Sequence, residues 1–556
     1  MKTTNKTIGK IVAGCVLACC LTTNIQAQFL PGDTNSGSGG TNTYSPYGNF
    51  NPTPTITYPT NAKLKWYLAI YNTPIYSSLA LAPDGTLYVP IGTGNGDNGA
   101  LLSINTSLVD TNDIYYPAPD DFLNWTYVVN GGFTFSPSVA VDGTVYNGLY
   151  VPSYPATPNL GMAAINPTNA SILWSFCKNS YRSCSPVAIG NDGTIYTCSA
   201  GYVYALTNAI GVTNSTTNAE GYVLLFTNVA SKWTYNGGGE NVNTFSGDQM
   251  LVGLDGTVYA YGGYYSGILY AFNPTNGVLK WKTTGLQGSQ AYTTPAIGKD
   301  GAIYLPEGSY FCAVNPQSPV TNGIINYSWV YTNNLSGDFQ YSPIIGADGT
   351  IYVEYRGYGT TNWLYAMNPS TGIPIWTNAL SPAATYYGNY FKHGSLATSS
   401  DGEIYLADLD GTLYSFAPDG TMNWKYLTGA QALGSPLISP DGTLYVESVD
   451  RDHNGCYVYA FAIPSPVACS SWPEDGRNAR RTAAVATASV GSPVMTTNGF
   501  QFAMIVITNM PVCAFASSDL QIWTNIGQTL LTGGMTNFVD IGSTNYPYRF
   551  YRAMPQ

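Results

Sequence analysis

Charged side chains are scarce in this chain of 556 residues, and histidine is almost absent. Asp, Glu, Lys and Arg together make up 9% of the residues, and the formal net charge is −11. An acidic chain offers no basic patch to neutralise phosphate, which disfavours nucleic acid or an anionic membrane surface as a partner. With only two histidines, His393 and His453, metal sites and catalytic triads that depend on histidine are nearly excluded.

Apolar runs long enough to span a bilayer are also lacking, which predicts that no segment crosses a membrane. The run at residues 11–21 is short and follows several lysines, and a small residue precedes a possible cut at residue 28. This pattern predicts a signal peptide over residues 1–27, and therefore export. Val16-Leu17-Ala18-Cys19 is alternatively a lipoprotein cleavage box, which would place a lipid anchor at Cys19.

Cysteine is limited to ten residues, of which three lie in the predicted signal peptide. The other seven can be oxidised in an exported chain, and their odd number leaves at least one unpaired. Cys177 and Cys184 flank a short loop and could bridge it. Cys198 and Cys312 are equally well interpreted as isolated buried residues in strands.

Tyrosine and glycine are abundant, with 46 and 60 residues respectively. Chains rich in Tyr and Gly but poor in charge are typical of all-β proteins with many turns. Residues 28–61 are rich in Gly, Asn, Thr, Ser and Pro, which predicts a flexible linker.

An Asp-Gly turn followed two residues later by an aliphatic residue and Tyr occurs eight times. Asp-Gly between alternating apolar segments is a strong hairpin signal, because the turn needs positive φ. The spacing between successive aspartates runs from 40 to 63 residues. The copies begin at Asp84, Asp142, Asp192, Asp255, Asp300, Asp348, Asp401 and Asp441.

A second repeated unit, such as Leu269–Trp281, indicates two more strands joined by a tight turn. Eight tryptophans mark the end of this unit, but the first, Trp66, precedes the first Asp-Gly turn. Four antiparallel strands per repeat predict the blade of a β-propeller. The count closes if residues 62–68 add the last strand to the eighth blade beside residues 456–461. We therefore predict an all-β, eight-bladed propeller over residues 62–464, closed by its N-terminal strand.

Ala366 is followed two residues later by Asn368, then by Thr371-Gly372, and then by Trp376 four residues after the glycine. This pattern resembles the blade motif of the quinoprotein (pyrroloquinoline-quinone-type) β-propeller family. In that family these residues dock one blade on the next, so the resemblance implies a structural role for the tryptophan.

The resemblance also implies an alternative function, that of a quinone-dependent dehydrogenase with calcium. In those enzymes the quinone rests against a disulfide of two adjacent cysteines. The only adjacent pair in this chain, Cys19-Cys20, lies in the predicted signal peptide. No set of Glu, Asn and Asp maps onto the calcium site. We therefore predict no cofactor and no catalytic, cofactor-binding or metal residue, with the dehydrogenase as the alternative.

The preferred function is that of an exported, non-enzymatic binding or scaffold protein at the cell envelope or outside the cell. Its protein or glycan partner would bind the face that carries the more variable loops. The Tyr-rich segments 386–390 and 261–265 could stack on sugars or peptides. Residues 450–453 (Asp-Arg-Asp-His) could grip a ligand, although a solvated loop with local ion pairs explains them better. Propeller lipoproteins that help to assemble outer-membrane proteins share the blade motif.

Two further segments follow the propeller. Residues 465–489 are predicted to be a linker that packs Trp472 on the rim of the ring. Residues 490–556 contain short strand patterns and resemble the small sandwich modules at the ends of secreted bacterial proteins, so a small β-domain is expected there.

Overall fold

The structure is a computed structural model, and the 46 elements named among its described residues are all β-strands. No helix in the described part of the chain is long and apolar enough to cross a membrane. The predicted signal peptide, Cys19 and the predicted linker at 28–61 lie outside the described residues. The structure describes residues 62–555 except 71–77, 92–98, 110–113, 117–121, 130–131, 134–135, 141, 151–160, 177–183, 200, 208–212, 218–222, 228, 237–249, 263–266, 287–293, 334, 340, 359–360, 383–394, 409–410, 429–431, 450–455, 469, 471–472, 477–487, 497–498, 507–509, 519–523, 532–534 and 541–549.

The first half of the propeller contains one separate strand and four blades, whose main strands are called A to D in chain order. The separate strand is β1 (Lys63–Ile70). Blade 1 has β2 (Ala80–Leu81), β3 (Thr86–Ile91), β4 (Gly99–Asn105), the connecting strand β5 (Ile114–Tyr116) and β6 (Leu123–Val129). Blade 2 has β7 (Gly132–Phe133), β8 (Ser138–Val139), β9 (Val145–Tyr150), β10 (Met162–Ile165) and β11 (Ile172–Phe176). Blade 3 has β12 (Ala188–Ile189), β13 (Ile195–Ser199), β14 (Tyr202–Leu206), the connecting strands β15 (Thr213–Thr217) and β16 (Val223–Thr227), and β17 (Ser231–Asn236). Blade 4 has β18 (Met250–Val252), β19 (Val258–Gly262), β20 (Ile268–Phe272) and β21 (Leu279–Lys282).

The second half contains four more blades. Blade 5 has β22 (Ala296–Ile297), β23 (Ile303–Glu307), β24 (Tyr310–Val314), the connecting strands β25 (Val320–Thr321) and β26 (Ile324–Ile325), and β27 (Trp329–Thr332). Blade 6 has β28 (Gly337–Asp338), β29 (Ile344–Ile345), β30 (Ile351–Gly357), β31 (Thr361–Met367) and β32 (Pro374–Pro382). Blade 7 has β33 (Ser395–Thr398), β34 (Ile404–Ala407), β35 (Thr412–Phe416) and β36 (Met422–Leu427). Blade 8 has β37 (Ala432–Leu433), β38 (Leu437–Ile438), β39 (Thr443–Val449) and β40 (Cys456–Ala462).

Blade 8 obtains its D strand from the start of the described chain. β1 pairs antiparallel with β40, and Trp66 lies opposite Ala460. Leu68 and Ile70 of β1 are buried, and both belong to the apolar cluster between blades 8 and 1. The prediction of an eight-bladed propeller closed by its N-terminal strand is confirmed.

The A strands form the inside of the ring. A strands of neighbouring blades contact one another, as β2 does with β8, β12 with β18, β29 with β33, and β33 with β38. The A strand β29 is fully buried, whereas four of the six residues of the D strand β36 are exposed. Because strands fan outward from the axis in a ring of blades, this pattern places A innermost and D outermost.

Three C–D connections lie beside the outer strand of the preceding blade. β5 of blade 1 pairs parallel with β1 of blade 8, and β26 of blade 5 pairs parallel with β21 of blade 4. The β15–β16 hairpin of blade 3 contacts β11 of blade 2. These additions cover D-strand edges that would otherwise leave unpaired main-chain groups exposed.

Tryptophans at the D strands of blades 1, 3, 5 and 6 connect each of these blades to the next. In four blades the indole Nε1–H donates to a proline carbonyl in the C–D turn of the following blade, at 2.6–2.9 Å. The turn glycine lies against the ring, and a Cβ at Gly277 would overlap Trp233. The docking role implied by the family resemblance is therefore visible in these contacts, which are Trp125–Pro167, Trp233–Pro274, Trp329–Pro369 and Trp376–Pro418.

Trp424 in blade 7 lacks this bond for a reason that follows from ring closure. Its indole nitrogen is buried without a hydrogen-bond acceptor among the described residues. Blade 8 has no C–D turn, because its C strand β40 and its D strand β1 come from opposite ends of the propeller sequence. The carbonyl that accepts the indole N–H in other blades is therefore missing here.

The C-terminal residues form two three-stranded sheets. The strands are β41 (Ala488–Thr496), β42 (Gly499–Val506), β43 (Met510–Ser517), β44 (Thr524–Leu531), β45 (Met535–Asp540) and β46 (Phe550–Pro555). The sheet orders are β41-β42-β45 and β44-β43-β46. The buried Phe502 ring of the first sheet packs on Tyr551 of the second at 4.7 Å between centroids. This contact between sheets is the packing expected of a small β-sandwich.

Candidate functional site

The Asp-Gly turns have the geometry that their sequence predicts. Each turn glycine has a φ between 77° and 94°, which favours glycine over any residue with a side chain. In seven of the eight turns the aspartate carboxylate accepts the main-chain N–H two residues later, at 2.9–3.2 Å. Turn geometry thus accounts for the repeated aspartates as such.

Three of these aspartates also receive a lysine from the D strand of the same blade. In blade 4 the Lys280 Nζ donates to the Thr257 hydroxyl at 2.8 Å and lies 3.7 Å from Asp255. The lysine directly precedes the docking tryptophan, and the threonine follows the Asp-Gly pair. Blade 3 repeats the arrangement with Lys232, Thr194 and Asp192. Blade 8 repeats it with Lys65, Thr443 and Asp441.

These contacts stabilise the ionised aspartates. Burial alone would raise the pKa of Asp192, but hydrogen bonds from Thr194 and Lys232 outweigh it, and the pKa is lowered. The pKa of Asp255 is lowered for the same balance of causes, with Lys280 as the cation. The A–B and C–D turns lie on one face of the ring, called the turn face. On this face, three blades therefore hold a lysine ammonium group of the chain itself beside an Asp-Gly turn.

A groove opens on this face between blades 5 and 6, with a cavity of about 380 Å³. Its lining runs from Ser328 and Trp329 at the outer strand of blade 5 to Ser470 near the axis. Two turn aspartates, Asp300 and Asp348, lie along it. It lies on the face opposite to the one predicted to bind a partner.

The described residues of the segment 465–475, which are 465–468, 470 and 473–475, run along the inner strands of three blades. The main chain of Ala468 and Pro473 hydrogen-bonds to Thr398 of the blade 7 A strand at 2.8 and 3.0 Å. The Ser470 hydroxyl donates to the Ile345 carbonyl of blade 6. This stretch, predicted from its sequence to be part of a linker, thus lies at the axis on the side of blades 6–8, and Trp472 lies outside the described residues.

Glu474 connects the same segment to blade 8. Its Oε1 accepts the main-chain N–H of Ile438, the last residue of the blade 8 A strand, at 2.6 Å. The side chain is 1% exposed. The neighbouring Asp475 carboxylate accepts the Ser435 hydroxyl at 3.1 Å. The segment is therefore bonded to blades 6, 7 and 8 at once and acts as an inner clasp on the ring.

Buried carboxylates occur two or three residues after the repeated tyrosine in every blade of the second half. These residues are at most 1% exposed, and no Lys or Arg is buried among the described residues. The corresponding positions of blades 1–4 carry no acid. This asymmetry is readable in the sequence once the repeats are aligned, although these acids were not among the predicted candidate residues. The four acids are Glu307, Glu354, Asp408 and Glu447.

Glu307 has the best defined surroundings of the four. Its carboxylate accepts the Tyr327 hydroxyl at 2.7 Å and the Leu286 main-chain N–H at 3.1 Å. Burial raises its pKa to about 7, although both hydrogen bonds act in the opposite direction. The side chain therefore changes its protonation state near neutral pH inside the protein.

The sequence-predicted candidate residues fall mostly outside the described residues. These include the Asp-Arg-Asp-His segment at 450–453, the Tyr-rich segment 386–390, His393 and most of the segment 261–265. Of that last segment, Tyr261 is buried, and its hydroxyl donates to the Pro306 carbonyl at 2.5 Å. Tyr261 therefore packs within the propeller and offers no stacking surface.

The described cysteines do not supply the adjacent pair against which the quinone rests in the dehydrogenases. Cys184, Cys198 and Cys312 are buried within blades, and no two of them are adjacent in sequence. Within the described ranges, no group of three or more His, Cys, Asp or Glu residues could hold a metal ion. At the axis, the A strands of blades 6–8 are covered by the chain's own residues 465–475. Cys177, the suggested partner of Cys184, lies outside the described residues.

Eight four-stranded blades, indole-to-carbonyl docking and closure by an N-terminal strand define an eight-bladed β-propeller. Residues 360–463 match a family model described as outer membrane protein assembly factor BamB. Residues 360–463 are thus similar to the repeats of PQQ-like β-propellers.

Solved structures with similar folds are distant in sequence. BamB from Moraxella catarrhalis has 15% identity and a TM-score of 0.46, with 72% of this chain and 98% of that chain covered. The Dos1 propeller has 12% identity and a TM-score of 0.45, with 73% of this chain and 94% of that chain covered. Raptor from Chaetomium thermophilum has 12% identity and a TM-score of 0.37, with 59% of this chain and 27% of that chain covered. No curated protein matches the sequence.

Proposed function

We propose that this protein is an exported, non-enzymatic propeller that binds a protein partner at the cell envelope and acts as a scaffold there. The single observation that carries the proposal is the match of residues 360–463 to the family model named after an outer-membrane assembly factor. Those residues include the C and D strands of blade 6, the four strands of blade 7 and the strands β37–β40 of blade 8. The N-terminal pattern supports export, with a lipid anchor at Cys19 as the alternative to a cleaved, unanchored protein.

The architecture suits a scaffold for a physical reason. Indole-to-carbonyl bonds, the outer closing strand β1 and the inner clasp at 465–475 hold the blades together. A ring that is held at both its inner and outer strands presents turns and loops at fixed distances from one another. Loops on such a rigid framework are the usual place for recognition.

The test is fractionation followed by photo-crosslinking in the source organism. The wild-type protein is expected in the envelope or in the medium, and it should crosslink reproducibly to one or a few envelope proteins. Retention in the cytoplasm would overturn the proposal. Specific capture of a glycan with no protein crosslink would overturn the protein partner. Dye-linked alcohol oxidation on adding the quinone and Ca²⁺ would favour a dehydrogenase. A Cys19→Ser variant that leaves the membrane fraction for the soluble envelope fraction would identify the anchor.

A further inference from the structure

The groove between blades 5 and 6 lies where other blades hold a lysine. In blade 4, Lys280 packs between its D strand and the Asp-Gly turn, bonded to Thr257 and close to Asp255. The corresponding positions in blade 5 are Ser328 and Ala302, which both line the cavity. The shorter side chains leave an open space beside the turn.

Blade 5 has the turn aspartate, Asp300, but lacks the lysine and the threonine that bind the corresponding aspartate in blade 4. Among the described residues, the Asp300 carboxylate accepts one hydrogen bond, from the Ala302 main-chain N–H at 3.1 Å. In blades 3 and 4 the same carboxylate also accepts a threonine hydroxyl at 2.7 Å. The Asp300 carboxylate can therefore accept further hydrogen bonds from a group in the cavity. In the blades that carry the lysine, the chain's own side chains supply these hydrogen bonds.

A second carboxylate faces the same cavity from blade 6. Asp348 accepts both the main-chain N–H and the hydroxyl of Thr350 and lines the groove. The position of the lysine in blade 6 is Ile375, so that blade supplies no ammonium group of its own. Lys299 at the rim is the one basic residue of the lining, which leaves the two carboxylates in excess.

We propose that this cavity binds the ammonium group of a lysine side chain on a protein partner. The lysine replaces the internal ammonium that blades 3, 4 and 8 provide, with Asp300 and Asp348 as acceptors and the Ser328 hydroxyl beside them. The volume of about 380 Å³ exceeds that of one lysine side chain, so residues flanking the lysine enter the groove as well. The net charge of −11 adds a long-range attraction for a basic segment.

This inference deepens the proposed function, on which it rests for the existence of a protein partner. It assigns the partner's binding to the turn face and gives the chemistry of one contact. Binding of the lysine itself is measurable in vitro without knowing the partner.

The probe is a short peptide, acetyl-Gly-Ser-Lys-Ser-Gly-amide, compared with the same peptide carrying Nε-acetyl-lysine or arginine. The full chain is labelled with 5-fluorotryptophan, and the Trp329 signal is assigned with a Trp329→Phe variant. The lysine peptide is expected to shift the Trp329 signal saturably, whereas the acetylated peptide leaves it unchanged. No saturable shift, or an equal shift with the acetylated peptide, would overturn the proposal. Equal binding of the arginine peptide would overturn the assignment to lysine.

Two designed variants make the test specific. Ser328→Lys with Ala302→Thr rebuilds the arrangement of blade 4 and should abolish the response, because the internal ammonium fills the site. Lys280→Ser with Thr257→Ala opens blade 4 and should create a new response at Trp281. Asp300→Asn with Asp348→Asn should weaken binding at least fivefold, with folding checked by circular dichroism. A response that persists in the filled variant contradicts the site.

The filled variant also separates this inference from the proposed function. If the envelope crosslink survives in Ser328→Lys/Ala302→Thr, the scaffold function stands and the lysine site is wrong. If lysine binding is found but no envelope partner is crosslinked to the wild type, the scaffold function is wrong, and the site is an ammonium site without that partner.

Discussion

Trp66 lies directly opposite Ala460 in the antiparallel pair of β1 and β40, although 394 residues separate them in the sequence. The same pair carries Lys63 opposite Ala462 at its end. Every other blade is built from one continuous stretch of chain, so this single strand pairing is what makes the propeller a closed ring.

Crosslinking the closure should stabilise the ring. In a Lys63→Cys/Ala462→Cys variant, the two residues lie opposite each other in an antiparallel pair, at a spacing of about 4.5–5.5 Å that a disulfide tolerates. We expect the disulfide to form on oxidation and to raise the free energy of unfolding by about 2–5 kcal/mol, because it closes a very long loop. Denaturant unfolding with and without reductant measures the gain. The Lys63→Cys single variant is the control, and no difference between oxidised and reduced double variant would contradict the predicted stabilisation.

The two docking tryptophans Trp233 and Trp424 should respond differently to the same substitution. Trp233→Phe removes the indole bond to the Pro274 carbonyl, which is 2.8 Å long. Trp424→Phe removes a buried N–H that has no acceptor among the described residues. A lost hydrogen bond costs about 1 kcal/mol, and a buried unsatisfied donor costs about 1–3 kcal/mol in the wild type.

We therefore expect Trp424→Phe to be less destabilising than Trp233→Phe by about 1–2 kcal/mol. Both residues are similarly buried, at 5% and 7% exposure, so that loss of ring volume affects them alike. Urea unfolding of the two variants beside the wild type decides the matter. Equal losses of stability would mean that the indole bond contributes nothing to docking.

The repeated parts of the fold were predictable from the sequence because each signal occurs many times. An Asp-Gly turn is weak evidence alone, but eight copies with Tyr at the same offset predict eight hairpins. The closing strand followed from one unmatched tryptophan, Trp66. Repetition therefore gave the ring, its order and the strand that closes it.

The features that occur once were not predictable in the same way. Residues 465–475 look like a linker because Pro and Ser are common there. Their hydrogen bonds go to main-chain groups of three blades, and a main-chain partner leaves no signature in the sequence. The cavity at Ser328 is recognisable only by comparison with Lys280 at the corresponding position. Trp424 lacks an acceptor because blade 8 is closed by a separate strand and so has no C–D turn. This is a property of the ring and not of the sequence around Trp424.

The stability of the protein should fall as pH rises through neutrality because of Glu307. Its pKa in the folded state is about 7, above the value of about 4.5 for an exposed glutamate. The folded state therefore binds the proton of Glu307 more tightly than the unfolded state does. The resulting stabilisation of the folded state is complete below about pH 4.5 and is lost as the pH rises to about 7. Glu307→Gln should remove this part of the pH dependence, on the order of 2–3 kcal/mol between pH 5 and pH 8.

The comparison is between the urea midpoints of wild type and Glu307→Gln at several pH values. The difference between the two proteins isolates Glu307 from the other buried acids, which remain in both. At pH 8 the variant should be the more stable relative to wild type, and at pH 5 the difference should shrink or reverse. Parallel pH profiles would rule out titration of Glu307 in this range.

The inner clasp should contribute to stability through Glu474. Its carboxylate accepts the Ile438 N–H at 2.6 Å in a site where water has little access. Glu474→Ala leaves that buried N–H without its acceptor, at a cost of about 1–3 kcal/mol. Ser465→Ala is the matched control, because it removes an exposed contact of the same segment with Asp401 and should cost under about 0.5 kcal/mol. Hydrogen exchange at the Ile438 amide is expected to speed up in Glu474→Ala and to remain slow in Ser465→Ala. Slow exchange in both would show that residues 465–475 do not hold blade 8 through this bond.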